Sequence, residues 1–533
     1  MKAVRILSIA AAVALLGLLA GKHRTERESS FGRTLDPAQA LASPPVLLGE
    51  TSAKAPESPE AEWWGIYFRE QKIGWGRQLL APVFESEGGG WKSESESWFR
   101  LKMLDVTREV SIAERSHIRA DYSLDRIDFS MRAPDVHLDY TASVHPDRIA
   151  VVIRSARSEQ MVDIPRPAGD PPVYTPSVIY PWLRHTGIRA GETHKLVVFD
   201  STTQSRQPLM LEVLGEGTID VLGNLVPAWQ VRQTLLGITT TAWISRDGNP
   251  LREETGDGFV LIRETAETAR SGIAENPADF AEALSVSAGK PIRRQDRLTR
   301  LRVRLSGADF DGFDLDDARQ EFTEDVLTIV RETLPVEGGY ELPYPANGEW
   351  AEYLLPEPMV ASDHPRIIAE ARRITGLDAS SKIGGVDGFL ELFRRRPKGA
   401  FADPVMAARR LIEWVYRSVD KQPVFSLPNA LDVLDRLKGD CNEHTVLLTA
   451  LGRAAGIPTK QQAGLMHLEE SGRFYYHAWV SFWTGDRWIT ADAVFNQFPA
   501  DVTHIKFIDG GADRQSEISR LIGRLKLELL EAE

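Results

Sequence analysis

The spacing of apolar and polar positions along the chain changes character several times. Lys2 and Arg5 precede an apolar run from Ile6 to Gly21, the arrangement of an export signal. The run has no A-x-A exit, so residues 1–21 are expected to stay as an N-terminal membrane anchor rather than to be cleaved. The body of the protein should then face the periplasm, or be secreted if cleavage occurs. Residues 22–60, rich in Pro, Ser, Ala and Glu, show no period and read as a disordered spacer.

From 61 to 270 short apolar and aromatic runs alternate with polar residues and turns, as in WWGIYF, REVSIAERSHI and HKLVVFD. TTTAWIS, the Arg-Asp-Gly-Asn turn and PLREET read as a hairpin. This predicts an antiparallel β-meander, closing as a barrel or sandwich. Residues 271–355 form a connecting β-containing region, with RLTRLRVRLSG and DVLTIVRETL as strands around the acidic loop GADFDGFDLDDAR. That loop lacks calcium-loop spacing and reads as solvated. Within 356–508, HPRIIAEARRITG, VDGFLELFRR, DPVMAARRLIEWVYRSV and NALDVLDRLKG place apolar residues three and four apart, the helical period, and strands follow. Residues 509–533, ending SEISRLIGRLKLELLEAE, read as an amphipathic helix. The fold class is therefore α+β: a β-meander or barrel-like domain, then a domain of helices and antiparallel sheet.

Composition narrows the chemistry. A net charge of −13 and a pI near 5.5 argue against nucleic acid as a partner. The single cysteine excludes an intramolecular disulfide and a multi-thiolate metal site.

That cysteine, Cys441, lies in KGDCNEHTVLL. Gly439 ends one element, Asp440 caps a helix and Cys441 falls in its first turn, where the partial positive charge favours a thiolate. Arg473–Trp483 alternates as a strand with Tyr475, His477, Trp479, Ser481 and Trp483 on one face. The Thr-Gly-Asp turn returns the chain through Trp488, Thr490 and Asp492, bringing Asp492 within about two positions of His477. A carboxylate there fixes the tautomer of the imidazole and raises its basicity. His444 lies one helical turn after Cys441 and is the weaker candidate base. A zinc site of Cys441, His444, His477 and Asp492 has permissible ligands but a weak pattern. His467 and His504 read as ordinary surface or half-buried residues. Tyr475, Trp479 and Trp483 read as core or as the lining of an aromatic cleft.

G-D-C-N-E-H-T on a helix, Y-H-A-W on a strand and W-I-T-A-D-A on the next resemble the bacterial transglutaminase-like superfamily over roughly 360–505. Ala493 and Val494 stand where the family often continues with Pro-Thr. The resemblance implies a papain-type cysteine catalytic domain with Cys441 as nucleophile, His477 as base and Asp492 as orienting group. It implies acyl transfer from a peptide, isopeptide or carboxamide of a peptide or protein substrate, with no cofactor. Water as acceptor gives a protease or amidase, and a lysine amine gives a cross-linking transglutaminase. The rival of another class is a non-catalytic envelope binding or assembly protein on the same fold.

Overall fold

The structure, a computed structural model, describes residues 61–533 except 85–88, 104–105, 135, 155–158, 202–203, 236, 257, 358, 378–402 and 423–428. The expected anchor, the spacer and the VDGFLELFRR helix lie outside the described residues. Among the described residues, no helix is long and apolar enough to cross a membrane.

Period-2 patterning builds the N-terminal half. In Trp91–Met103 the residues Ser93, Ser95, Ser97, Phe99, Leu101 and Met103 are buried, and the intervening positions are partly exposed. Fifteen such strands form one sheet between Glu62 and Glu264. Sequence neighbours pair in order, the expected hairpin Ile238–Ser245 with Pro250–Thr255 among them. The first strand, Glu62–Phe68, also pairs with the last, Phe259–Glu264. The sheet's two ends, Glu159–Pro165 and Val173–Tyr174, are not paired with each other among the described residues. The result is a barrel-like meander left open at one seam. The helix Ile179–Thr186 packs Ile179, Tyr180 and Leu183 against Leu209, Val231 and Ile244.

A second apolar cluster leaves this sheet and continues into the rest of the chain. It runs from Ile66 and Phe99 through Phe280 and Leu301 to Phe474, Ile505 and Leu527. Burial of this extent is the main stabilising term of the fold. The expected strands Arg300–Ser306 and Val326–Val330 pair antiparallel. The acidic loop between them is tied down rather than free in solvent. Asp314 accepts from the Asp509 amide and from Arg514, and Asp317 pairs with Lys506 at 2.8 Å.

The C-terminal segment differs from expectation. The amphipathic helix over 509–533 does not form as one element. A short turn of helix and a 3-10 turn (Ser516–Arg520) give way to the strand Lys526–Ala532, which pairs with Arg300–Ser306. The physical reason is an ambiguous pattern. Ile518, Leu521, Ile522, Leu525 and Leu529 fit a helical period, but KLELL also alternates. Gly523 sits at φ 72° and interrupts the helical reading, and the open edge of Arg300–Ser306 takes up the remainder as a strand.

The last sheet carries the residues of interest. Its order is Val286–Ser287, Arg473–Trp483, Thr459–Leu468, Ile505–Asp509, with Trp488–Ala491 also pairing on Arg473–Trp483. Against it lies the helix Cys441–Ala454, buried on every side. The helices Pro365–Thr375, Pro404–Ser418 and Ala430–Arg436 supply the apolar cover, including Ile367, Leu411 and Val433. As expected, Asp403 caps the second of these and Pro404 occupies its first turn.

Candidate active site

Cys441 is placed by its helix start. Asp440 caps the helix, its side chain accepting from the Asn442 amide at 3.1 Å, while its own amide donates to Glu443 Oε2 at 3.1 Å. This reciprocal capping box satisfies two end donors. Gly439 is required beside it, because a Cβ there would sit 2.2 Å from Glu443 Cβ. Cys441 is 1 % exposed. Burial pushes its thiol well above the ordinary value, with Asp440, Asp492 and Glu443 adding to the rise and a backbone hydrogen bond with Ala478 opposing it. The sequence pointed to a thiol lowered by the helix terminus. Three neighbouring carboxylates and a dry site outweigh that terminus.

His477 stands mid-strand, opposite Gly464. A Cβ on Gly464 would meet Ile505 O at 1.9 Å and Trp479 at 3.0 Å, so a glycine lets three strands and the Trp479 ring close over this point. The hairpin register pairs Val480 with Ala491 and Ser481 with Thr490, which leaves Asp492 diagonal to His477. His477 Nε2 lies 2.7 Å from Asp492 Oδ2, both residues 1 % exposed. An ionised carboxylate only accepts, so Nε2 carries the proton in this contact. Asp492 Oδ1 accepts from the Val494 amide at 2.6 Å. Burial alone would raise the Asp492 carboxyl, but the charge and hydrogen bond of His477, then those of His504, hold it well below the carboxylate range.

Two histidines depart from expectation. His467 is fully buried within the strand Thr459–Leu468, its Nδ1 2.8 Å from Gln295 Oε1. His504 is also fully buried, and its Nε2 lies 3.0 Å from Asp492 Oδ2. Its Nδ1 is 3.4 Å from Asp501 Oδ1. Burial would lower this imidazole, but Asp492 and Asp501 together lift it to about 9. Sequence reasoning missed His504 and Asp501. The available signal was Asp-Val-Thr-His beginning nine residues after Asp492, where Asp501 accepts from Thr503 N at 2.9 Å as a turn-forming aspartate does.

His444 Nδ1 lies 2.6 Å from the Asp440 carbonyl, and burial lowers this residue to about 4. It is a neutral imidazole on a carbonyl, without the carboxylate partner of His477. The ligand atoms of His477, Asp492 and His504 lie within 4.8 Å of one another, a grouping different from the zinc set read from the sequence. Here Asp492 Oδ2 already accepts from both imidazoles. Trp479 packs near-parallel to His477, ring centroids 6.1 Å apart, and edge-on to His504 at 5.2 Å. It is a wall of the site. Trp483 joins Trp350 and Trp488 elsewhere on the sheet.

No curated protein matches the chain. Among solved structures, a beta-barrel-like protein of a domain of unknown function from Brucella abortus shares 12 % identity at TM-score 0.29, covering 39 % of this chain and 95 % of its own. A candidate cysteine protease from Cytophaga hutchinsonii shares 14 % identity at TM-score 0.25, covering 44 % and 87 %. A family protein from Pseudomonas aeruginosa shares 10 % identity at TM-score 0.20, covering 39 % and 94 %. A family model matches residues 397–493, the stretch that holds Cys441, His477 and Asp492, and the chain therefore carries a transglutaminase-like superfamily domain toward its C-terminus.

Proposed function

We propose that this domain is a cysteine acyl-transfer enzyme that hydrolyses a peptide, isopeptide or carboxamide bond, with Cys441 as nucleophile, His477 as base and Asp492 as orienting residue. The observation that carries the reading is the buried 2.7 Å contact of His477 Nε2 with Asp492 Oδ2, on the strand whose next residue, Ala478, hydrogen-bonds Cys441. That contact leaves Nδ1 of His477 as the acceptor for the thiol proton.

The resting sulfur is a thiol, so deprotonation accompanies attack. Sγ bonds to the carbonyl carbon as its proton passes to His477 Nδ1, and the oxyanion is held by the Cys441 amide at the helix start. Collapse breaks the C–N bond, and the amine leaves with the proton from His477. The thioester is then attacked by water, whose proton His477 takes and returns to Sγ as the carboxylate departs. Asp492 holds the imidazole in place throughout.

The test is alkylation of Cys441 by iodoacetamide, which reports on one site because the chain has one cysteine. His477→Ala and Asp492→Asn are each expected to slow it at pH 7.5 by at least about tenfold, a part of the roughly 10²–10⁴ that a positioned base contributes. A rate indifferent to both changes sinks the enzymic reading and leaves a binding scaffold. A glutamine peptide offered with a labelled amine separates the acceptors. Amine incorporation would establish a cross-linking transglutaminase. The apolar segment 6–21 supports an exported, membrane-anchored protein. Fractionation of the full chain is expected to place it with membranes, and recovery from the cytosol would refute export.

A further inference from the structure

Asp492 is held by two imidazoles. Its Oδ2 accepts from His477 at 2.7 Å and from His504 at 3.0 Å. Beyond His504 lies a second buried carboxylate, Asp501, which accepts from the Thr503 amide at 2.9 Å, the Thr503 hydroxyl at 2.6 Å and Gln497 Nε2 at 2.8 Å. Four groups thus form a chain, His477, Asp492, His504 and Asp501, each at most 3 % exposed. Both carboxylates are surrounded by donors and act as ionised acceptors. His504 has a carboxylate oxygen at each ring nitrogen, 3.0 Å from Nε2 and a longer 3.4 Å from Nδ1, and an imidazole that donates from both nitrogens is an imidazolium.

We propose that His504 is a positioning residue: a buried imidazolium, clamped between Asp492 and Asp501, that fixes the carboxylate on which His477 depends and offsets part of its charge. This rests on the Cys441–His477–Asp492 reading above. Two consequences follow from the geometry. Oδ1 of Asp492 is pinned by the Val494 amide and Oδ2 by His504, so the carboxylate is locked before His477 uses it. The cation also lies close to His477, ring centroids 5.8 Å apart. It places a positive charge on the far side of the carboxylate that His477 also contacts. Among the described residues, the groups facing this chain include Trp479 edge-on to His504, Cys441, His444 and Lys421, which interact with Asp492 through its charge, His467, which interacts with Asp501 through its charge, and Arg319, which donates to the Asp501 carbonyl at 2.9 Å. Lys506, next along the strand, is occupied by Asp317 and Asp509.

The experiment uses the full chain with ¹⁵N-labelled histidine, titrated from about pH 6 to 10, in the wild type, His504→Gln and His504→Phe. One of the eleven histidines, missing from the spectrum of His504→Gln, is expected to keep both ring nitrogens protonated through about pH 8. The second readout is the pH profile of Cys441 alkylation. Gln keeps an N–H directed at Asp492 but removes the charge, and should move the His477-dependent limb upward by about one pH unit. Phe removes both and should also lower the plateau by about tenfold. A purely structural residue would lower the melting temperature in both variants and leave the limb where it is. A His504 that is neutral at pH 7, or an unmoved limb in a folded Gln variant, overturns the proposal. So does stoichiometric zinc on the purified chain that His504→Gln releases. If alkylation ignores His477→Ala, the triad reading fails separately, and the nitrogen spectrum still decides the charge of His504.

Discussion

Single residues at the helix start decide whether Cys441 is presented at all. Gly439 must lack a side chain because Glu443 Cβ would lie 2.2 Å from its Cβ, and Glu443 is there to complete the capping box on Asp440. Glu443→Ala should cost about 1 kcal/mol, the usual worth of a cap, and Gly439→Val should cost more, through overpacking of about 1–3 kcal/mol. Chemical denaturation checks both, with an unchanged midpoint in Gly439→Val contradicting the close approach. The Gly-Asp-Cys start and the cap were legible in the sequence. The raised thiol was not, because its largest cause is burial, which arises only when distant segments close over the helix start, and Asp492, fifty-one residues away in the chain, adds to the neighbouring Asp440 and Glu443.

At the scale of elements, the C-terminal strand shows how one pattern serves two structures. Leu527 and Leu529 face the core and pair across to Leu305 and Val303, while Lys526 and Glu528 face outward. Leu529→Ala should destabilise by about 2–4 kcal/mol, the range for truncating a buried leucine. Leu529→Pro should expose the backbone amides of Arg300–Ser306 to hydrogen exchange, because their partner strand is lost. A helix in this segment would leave those amides unaffected. The β-meander was readable because a two-residue period admits few alternatives over many strands. This tail was not, because seven residues with three leucines satisfy both periods and only the waiting edge of Arg300–Ser306 selects one.

For the molecule as a whole, the buried carboxylates and His504 beneath the candidate active site couple stability to pH at both ends. Asp492 and Asp501 are held below the carboxylate range. Their contribution is present above the unfolded value of about 4 and is lost as pH falls below it. His504 is raised to about 9. Its contribution is complete below the unfolded value of about 6.5 and disappears as pH climbs through about 9, with an upper bound near 3 kcal/mol. Melting temperature should therefore decline from about pH 7 to 10 in the wild type. In His504→Gln the curve should be flatter over that range, starting from a lower value. Parallel curves for the two proteins would show that His504 carries no such linkage.

The sequence by itself determined whatever depends on neighbours within a turn or a strand. The alternation of 61–270 dictated a meander, the Asp-Pro start dictated the helix Pro404–Ser418, and the Asp-Cys-x-Glu start dictated the capped helix at Cys441. The hairpin around Thr484-Gly485-Asp486 set Asp492 within about two positions of His477, and the register that makes them diagonal came with the folded sheet. Tertiary structure decided whatever depends on distant segments meeting in a dry interior. It paired the chain's last strand with Arg300–Ser306 and bound the acidic loop to Lys506 and Arg514. It also brought His504 onto the second hydrogen-bonding position of Asp492. Local patterning carries the first kind of information because hydrogen bonds within helices and hairpins close over a few residues. The second kind is set by which groups lose water together, and no period along the chain encodes that.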